Sequence, residues 1–205
     1  MHTVSTYVKS SADKKAAQGV LTRAGLVSAA RAIFGERGFA GTNTEEVAAK
    51  AGVTKGALYH HFSGKDDLFR AVYEQVQQEI ADRVASVFLE RDAWDALSSG
   101  CNLWIDAHQD PAVRQIVLRD ARAVLAAEVI RDVDLRFGAV GLRAALRKGM
   151  TAGVLARQPL RPLALMLTGA LTEACVYVAD AADPTEARAE VVGLIDALLT
   201  GLRTR

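Results

Sequence analysis

Residues 44–62 read TEEVAAKAGVTKGALYHHF, and this stretch decides the fold. Between Thr44 and Ala51, Val47, Ala48 and Ala51 fall at i, i+1 and i+4, a narrow apolar stripe along one helix face. Gly52 follows at once. It has no Cβ and can take the left-handed conformation that ends a helix. Thr54 is then placed to cap a second helix, Lys55 to His61, because its hydroxyl can accept an orphan backbone N–H. Helix, three-residue turn with glycine, helix is the helix-turn-helix arrangement, whose second helix enters the major groove.

The second helix is unusual for a surface helix. Lys55, Gly56, Tyr59, His60 and His61 supply donors and aromatic surface, and no acidic residue lies between Ala51 and Lys65. Gly56 and Ala57 are small, which lets the backbone approach base edges and leaves room for a thymine methyl. A solvated amphipathic helix without a ligand is the competing reading of so short a motif.

Working outward, residues 38–72 read GFAGTNTEEVAAKAGVTKGALYHHFSGKDDLFRAV. This segment resembles the DNA-binding domain of the TetR family of bacterial transcriptional regulators. The resemblance rests on Phe34 and Gly38-Phe39 closing a first helix, Thr42 to Thr44 before the second, and Ala51-Gly52-Val53-Thr54. It continues through Gly56, Leu58-Tyr59, His61-Phe62 and Lys65. It covers roughly residues 22–76, and beyond them the chain resembles the family only in length and helical pattern. It implies an all-α fold: an N-terminal three-helix DNA-binding domain, then a C-terminal helical ligand-binding and dimerisation domain, about nine helices in all. On double-stranded DNA, Lys55 is expected at a base edge, most plausibly guanine. Thr44, Thr54, Tyr59, His61 and Lys65 are expected at phosphates, with Gly56 allowing close approach and His60 a further contact.

Composition agrees. Half of the 205 residues are apolar, and three of the four prolines fall after residue 158, which suits long helices. Net charge is only +1, but it is unevenly spread. Residues 1–70 hold ten Lys/Arg against six Asp/Glu, and the remainder fifteen against eighteen. A basic N-terminal module on a mildly acidic body suits a DNA reader attached to something else.

The expected organisation is a disordered arm over residues 1–18, a DNA-binding domain over 19–67 and a regulatory domain over 68–205. Lys9, Lys14 and Lys15 in the arm could reach along DNA or belong to a floppy tail. Helix 1 is expected from Thr22 to Arg37, burying Val27, Ala30, Ile33 and Phe34, with Gly38 ending it. Helix 4 runs from Lys65 to about Glu90. Five more are expected: 92–108, 111–127, 128–151, 162–179 and 184–202. On the long seventh, Ile130, Val133, Leu135, Phe137, Val140, Leu142 and Leu146 look inward-facing.

The last two helices are strongly apolar. Leu163, Leu167, Ala170, Leu171 and Ala174 line one face of the eighth, and Val191, Ile195 and Leu198 one face of the ninth. Two such helices from each of two chains would make a four-helix bundle, and family resemblance places the homodimer interface there. The alternative is an ordinary monomer core. The middle helices carry Trp94, Cys101, Trp104, His108, Arg119, Arg122, Phe137, Glu173 and Tyr177. Each has a structural reading by itself; together they describe an apolar cavity with a few polar tips, suited to a small, largely apolar effector.

No HExxH, paired CxxC or glycine-rich phosphate loop occurs, so no catalytic residue, metal or cofactor is expected. Cys101 and Cys175 sit among apolar neighbours and read as buried thiols. The N-terminus lacks the hydrophobic core of a signal peptide, and no apolar run was expected to reach the length of a membrane span. This predicts no membrane partner and a cytoplasmic, nucleoid-associated bacterial protein. Two readings remain: a dimeric repressor released from a palindromic operator by an effector, or a DNA-binding dimer without a small ligand.

Overall fold

The computed structural model describes residues 11–90 and 92–204; the side chains of residues 11, 12 and 88–90 fall outside that description. Among the described residues it is all-helical, with nine helices and no strand; one isolated bridge joins Leu155 and Arg203. Lys9 lies outside the described residues.

Helix α1 spans Ser11–Arg37, beginning well before the expected Thr22. Its first turns, rich in Ala, Lys and Gln, are good helix formers with Asp13 in the first turn. They are largely exposed, so no apolar stripe marked them. Lys14 and Lys15 therefore stand on a helix. From Leu26 onward the expected face is buried: Val27, Ala30, Ile33 and Phe34. Gly38, at φ +72°, ends the helix.

Helices α2 (Thr44–Lys50) and α3 (Lys55–His61) follow, and α4 (Lys65–Glu90) runs through the expected boundary at 67/68. The reason is packing. Phe34, Phe39 and Phe69 meet with ring centroids 5.1–5.9 Å apart, so the first turns of α4 complete the small domain's core. Further along, Glu79 pairs with Arg31 of α1.

The body holds α5 (Ala93–Ala107), α6 (111–124), α7 (127–151), α8 (Leu160–Asp180) and α9 (Pro184–Thr200). Asp92, Asp110 and Asp183 cap α5, α6 and α9 with side-chain hydrogen bonds. Two stretches are wound wider, with i→i+5 hydrogen bonding: Arg114–Asp120 in α6 and Asp134–Gly138 in α7. The periodicity of 3.6 does not anticipate them. The α7 stretch turns the pattern, leaving Leu135 39% and Val140 52% exposed, whereas Val133, Leu142 and Leu146 are buried.

Helix α8 corrects another expectation. By length and composition it could cross a membrane: 21 residues, mean hydropathy 1.5 over its most apolar window, a third of that window buried. One such helix is weak evidence, because a helix with one face in a core and the other in an interface has the same composition. Here Ala164, Leu167, Leu171, Cys175 and Val178 face the protomer's own core.

Candidate nucleic-acid interface and effector cavity

The turn between α2 and α3 forms as its residues dictate. Asn43 caps α2 through the Glu45 N–H at 2.9 Å; Gly52 adopts φ +69°; Thr54 accepts the Ala57 N–H at 3.2 Å. Leu58 and Phe62 anchor α3 in the core, and Thr54, Lys55, Gly56, Tyr59 and His60 face outward. Thr44 is nearly buried, its hydroxyl 3.2 Å from the Tyr59 hydroxyl, so α2 holds that phenol at the surface. His61 is half-buried, next to His60 and against Gly19 of α1. The exposed extension of α1 therefore begins beside the C-terminal end of α3.

Two lysines differ from expectation. Lys55 is not free: its ammonium pairs with Glu45 of α2, which raises the lysine's pKa and lowers the carboxyl's. A contact of Lys55 with DNA would exchange that carboxylate for the nucleic acid. Lys65 donates to the carbonyls of Phe39 at 2.8 Å and Thr42 at 3.0 Å and lies 4.3 Å above the Phe39 ring. It locks the α1–α2 loop, which leaves one N–H for a phosphate. The charge was legible in the sequence; the carbonyls it serves, 23 and 26 positions away, were not.

A cavity of about 30 Å3 lies between α4, α5, α7 and α8. Three expected residues meet there: Cys101, Trp104 and Phe137. Val84, Leu97, Leu142 and Leu171 add apolar wall, and Thr168 a hydroxyl. Burial, with the nearby Asp196 second, pushes the Cys101 thiol up to about 12, so it stays neutral. Burial likewise pushes the Cys175 thiol up to about 12.

The other six candidates lie elsewhere. His108 is 2% exposed and does not line the cavity; its Nδ1–H donates to the Trp104 carbonyl at 2.8 Å, and burial depresses its pKa. Trp94 lies under the Arg203 guanidinium, 4.5 Å from its ring centroid. Arg119 is exposed. Arg122 and Glu173 form an exposed ion pair at 2.9 Å beside a separate open cleft of about 500 Å3. Tyr177 is 54% exposed and donates to Glu190 at 2.9 Å. Arg119, Arg122, Glu173 and Tyr177 stand on outward faces, and the first two on α6, which does not line the cavity.

The apolar faces of α8 and α9 also need re-sorting. Leu167, Leu171, Val191 and Ile195 are buried in the protomer's own core, Leu163 and Ala174 partly so. The outward face carries Leu165, Met166, Ala170, Leu194 and Leu198, with Met166 73% and Leu194 66% exposed. Ala170, Leu194 and Leu198 of this face, together with Tyr177, border an open groove of about 690 Å3 between the helices.

The body meets the DNA-reading unit through α6. Asp120 accepts the Phe39 N–H at 2.7 Å and the Gln115 side-chain N–H at 3.0 Å. Gly35 packs so close to Ala112 that a Cβ there would lie 2.5 Å from the alanine's.

Residues 26–72 match the domain described as bacterial regulatory proteins, tetR family, and residues 94–202 match the tetracyclin repressor-like C-terminal domain. The chain belongs to the TetR family. A TetR-family transcriptional regulator of solved structure, from Pectobacterium atrosepticum, is 33% identical, with TM-score 0.81 over 92% of this chain and 97% of that one. The transposon Tn10 TetC protein of Escherichia coli is 30% identical over 55% of this chain and 57% of its own length. The regulator SrpR of Pseudomonas putida is 33% identical over 51% and 47% respectively. The chain thus spans about half the length of these two curated relatives. The resemblance first seen in residues 22–76 extends, as family membership, over the body as well.

Proposed function

We propose that this TetR-family protein is a transcriptional repressor that binds a near-palindromic operator as a homodimer and is released by a small, largely apolar effector. The observation that carries the reading is the outward face of α3. Five solvent-facing positions there are donors, a small residue or aromatics, none acidic, on a helix anchored by Leu58 and Phe62. Lys55, at the start of the helix, is the residue for a base edge. Thr54, Tyr59 and His61 suit phosphates, His60 adds a further contact, and Thr44 acts by positioning Tyr59.

One helix reads too few base pairs to be selective, and a two-fold dimer doubles the site. The outward apolar face of α8 and α9 is the surface for that dimer. An effector entering beside Trp104 would favour a body conformation that shifts α6 against α1 through Asp120, Phe39 and Gly35. It must bind that state more tightly, and a hundredfold preference corresponds to about 2.7 kcal/mol of coupling. Acting on chromosomal DNA places the protein in the bacterial cytoplasm, at the nucleoid.

The test is footprinting on chromosomal fragments captured by the full-length protein. Protection should fall on two successive major grooves on one face, about 10–10.5 base pairs apart, and Lys55→Ala should lose base preference within each half-site. Protection spread without phase would contradict the proposal. One observation favours the second reading, a dimer without a small ligand: a cavity of about 30 Å3 holds little more than one water as it stands.

A further inference from the structure

One residue of the cavity wall, Trp104, carries a buried polar group with no partner. Trp104 is 8% exposed, and its indole Nε1–H has no hydrogen bond. A buried donor left unmade is costly, and native structures rarely keep one without a use. The other groups around it are already committed or neutral. Thr168 donates its hydroxyl hydrogen to the Ala164 carbonyl at 2.8 Å. Cys101 is a neutral thiol, and no charged side chain lines the cavity. A water beside Nε1 would find few further partners, where it needs two to four.

The walls are also built to give. Gly100, Gly138 and Gly141 line the cavity, and Gly138 closes the widely wound stretch of α7. The Trp104 ring lies so close to Gly138 that a Cβ there would stand 3.0 Å from Cη2. Widened helical turns of this kind recur at functional sites. Movement of the indole and of this turn would enlarge the cavity to the size of a single ring and bring Nε1 to its surface.

We infer that the cavity takes a small, uncharged molecule of about one ring carrying one hydrogen-bond acceptor, a carbonyl, ether or hydroxyl oxygen, held by the Trp104 Nε1–H against otherwise apolar walls. The inference rests on the effector reading above, which it deepens by naming the ligand's chemistry. Anions and cations are excluded by walls that offer no counter-charge. Pure hydrocarbons leave the indole donor unsatisfied, so they bind more weakly than an acceptor-bearing isostere. His108 acts behind the indole, fixing the Trp104 carbonyl through its Nδ1–H.

The experiment uses the full chain with 15N-labelled tryptophan and two shape-matched probes, acetophenone and α-methylstyrene. The chain has two tryptophans, so Trp104→Phe assigns the signal by its loss. Acetophenone should move the Trp104 indole proton downfield, and α-methylstyrene should not. Trp104→Phe keeps an aromatic ring, removes the donor, and should weaken acetophenone about tenfold while leaving α-methylstyrene unchanged. Equal binding of the two probes to both proteins would overturn the inference, as would an indole signal unmoved by acetophenone up to its solubility. Labelled operator duplex in the same tube separates the two claims. A shifted indole with DNA still bound leaves the ligand chemistry standing and removes effector-driven release. Release by either probe without preference for the acceptor does the reverse.

Discussion

Gly56 stands in the first turn of α3, where an alanine would be the better helix former by about 0.5–1 kcal/mol. Nothing within the protein asks for a glycine there: a Cβ would meet only the Thr54 hydroxyl, at 3.9 Å. The proposed duplex contact supplies a reason for it: a surface that comes close. Gly56→Ala is expected to stabilise the domain by up to about 1 kcal/mol in thermal unfolding while weakening duplex binding. Unchanged affinity would remove the close approach. Lys65→Ala should behave oppositely. Two hydrogen bonds from a charged group and a ring contact are lost, so unfolding should become easier by about 2 kcal/mol, before any change in salt dependence. A variant with wild-type stability and a reduced salt slope would return Lys65 to a purely phosphate-binding role. Chemical type was legible at both residues. What each one faces was not, because the partners of Lys65 and the emptiness beside Gly56 are set by the fold.

Among the elements, the helix-turn-helix was legible to within a residue because its signals are local: a cap at Thr54, a left-handed glycine at 52, an apolar stripe through Val47 and Ala48. Long-range faces were harder. On α8 the stripe through residues 163, 167 and 171 and the stripe through 166, 170 and 177 are centred about 80° apart, and apolar side chains occupy both. Periodicity reveals two faces but not which one meets the rest of the chain. Charges intended to break the proposed dimer therefore belong at Met166 and Leu198, not at the buried Leu167 and Leu171. Met166→Glu with Leu198→Glu should give a folded monomer in sedimentation, with much weaker duplex binding; a variant that stays dimeric places the interface elsewhere. At the α5–α6 corner, buried His108 has a pKa below its unfolded value of about 6.5. The unfolded chain binds the proton first, so stability is full above pH 6.5 and falls as pH drops towards the folded value, by at most about 1.4 kcal/mol per unit. His108→Gln should lower stability overall but flatten that slope below pH 6.5; an unchanged slope would assign it to other groups.

In the molecule as a whole, three parts are joined by short physical links. The outward face of α3 is the proposed reading surface, α6 touches that unit through Asp120 and Phe39, and the cavity beside Trp104 lies further into the same body. The overall architecture was legible because helix lengths and caps are local properties. The cavity was not, since its walls come from positions 81 to 171 and were recognisable in sequence only at Cys101, Trp104 and Phe137. The claim on which everything else depends is that two copies read DNA together through α3. Selection by the full-length protein from a random duplex library tests it without knowledge of the natural operator. The account predicts enrichment of a two-fold symmetric motif with half-site centres about 10–10.5 base pairs apart or a multiple of that, lost when Lys55 and Tyr59 are replaced by alanine. No enrichment, or a single unsymmetric site that survives those replacements, would contradict it.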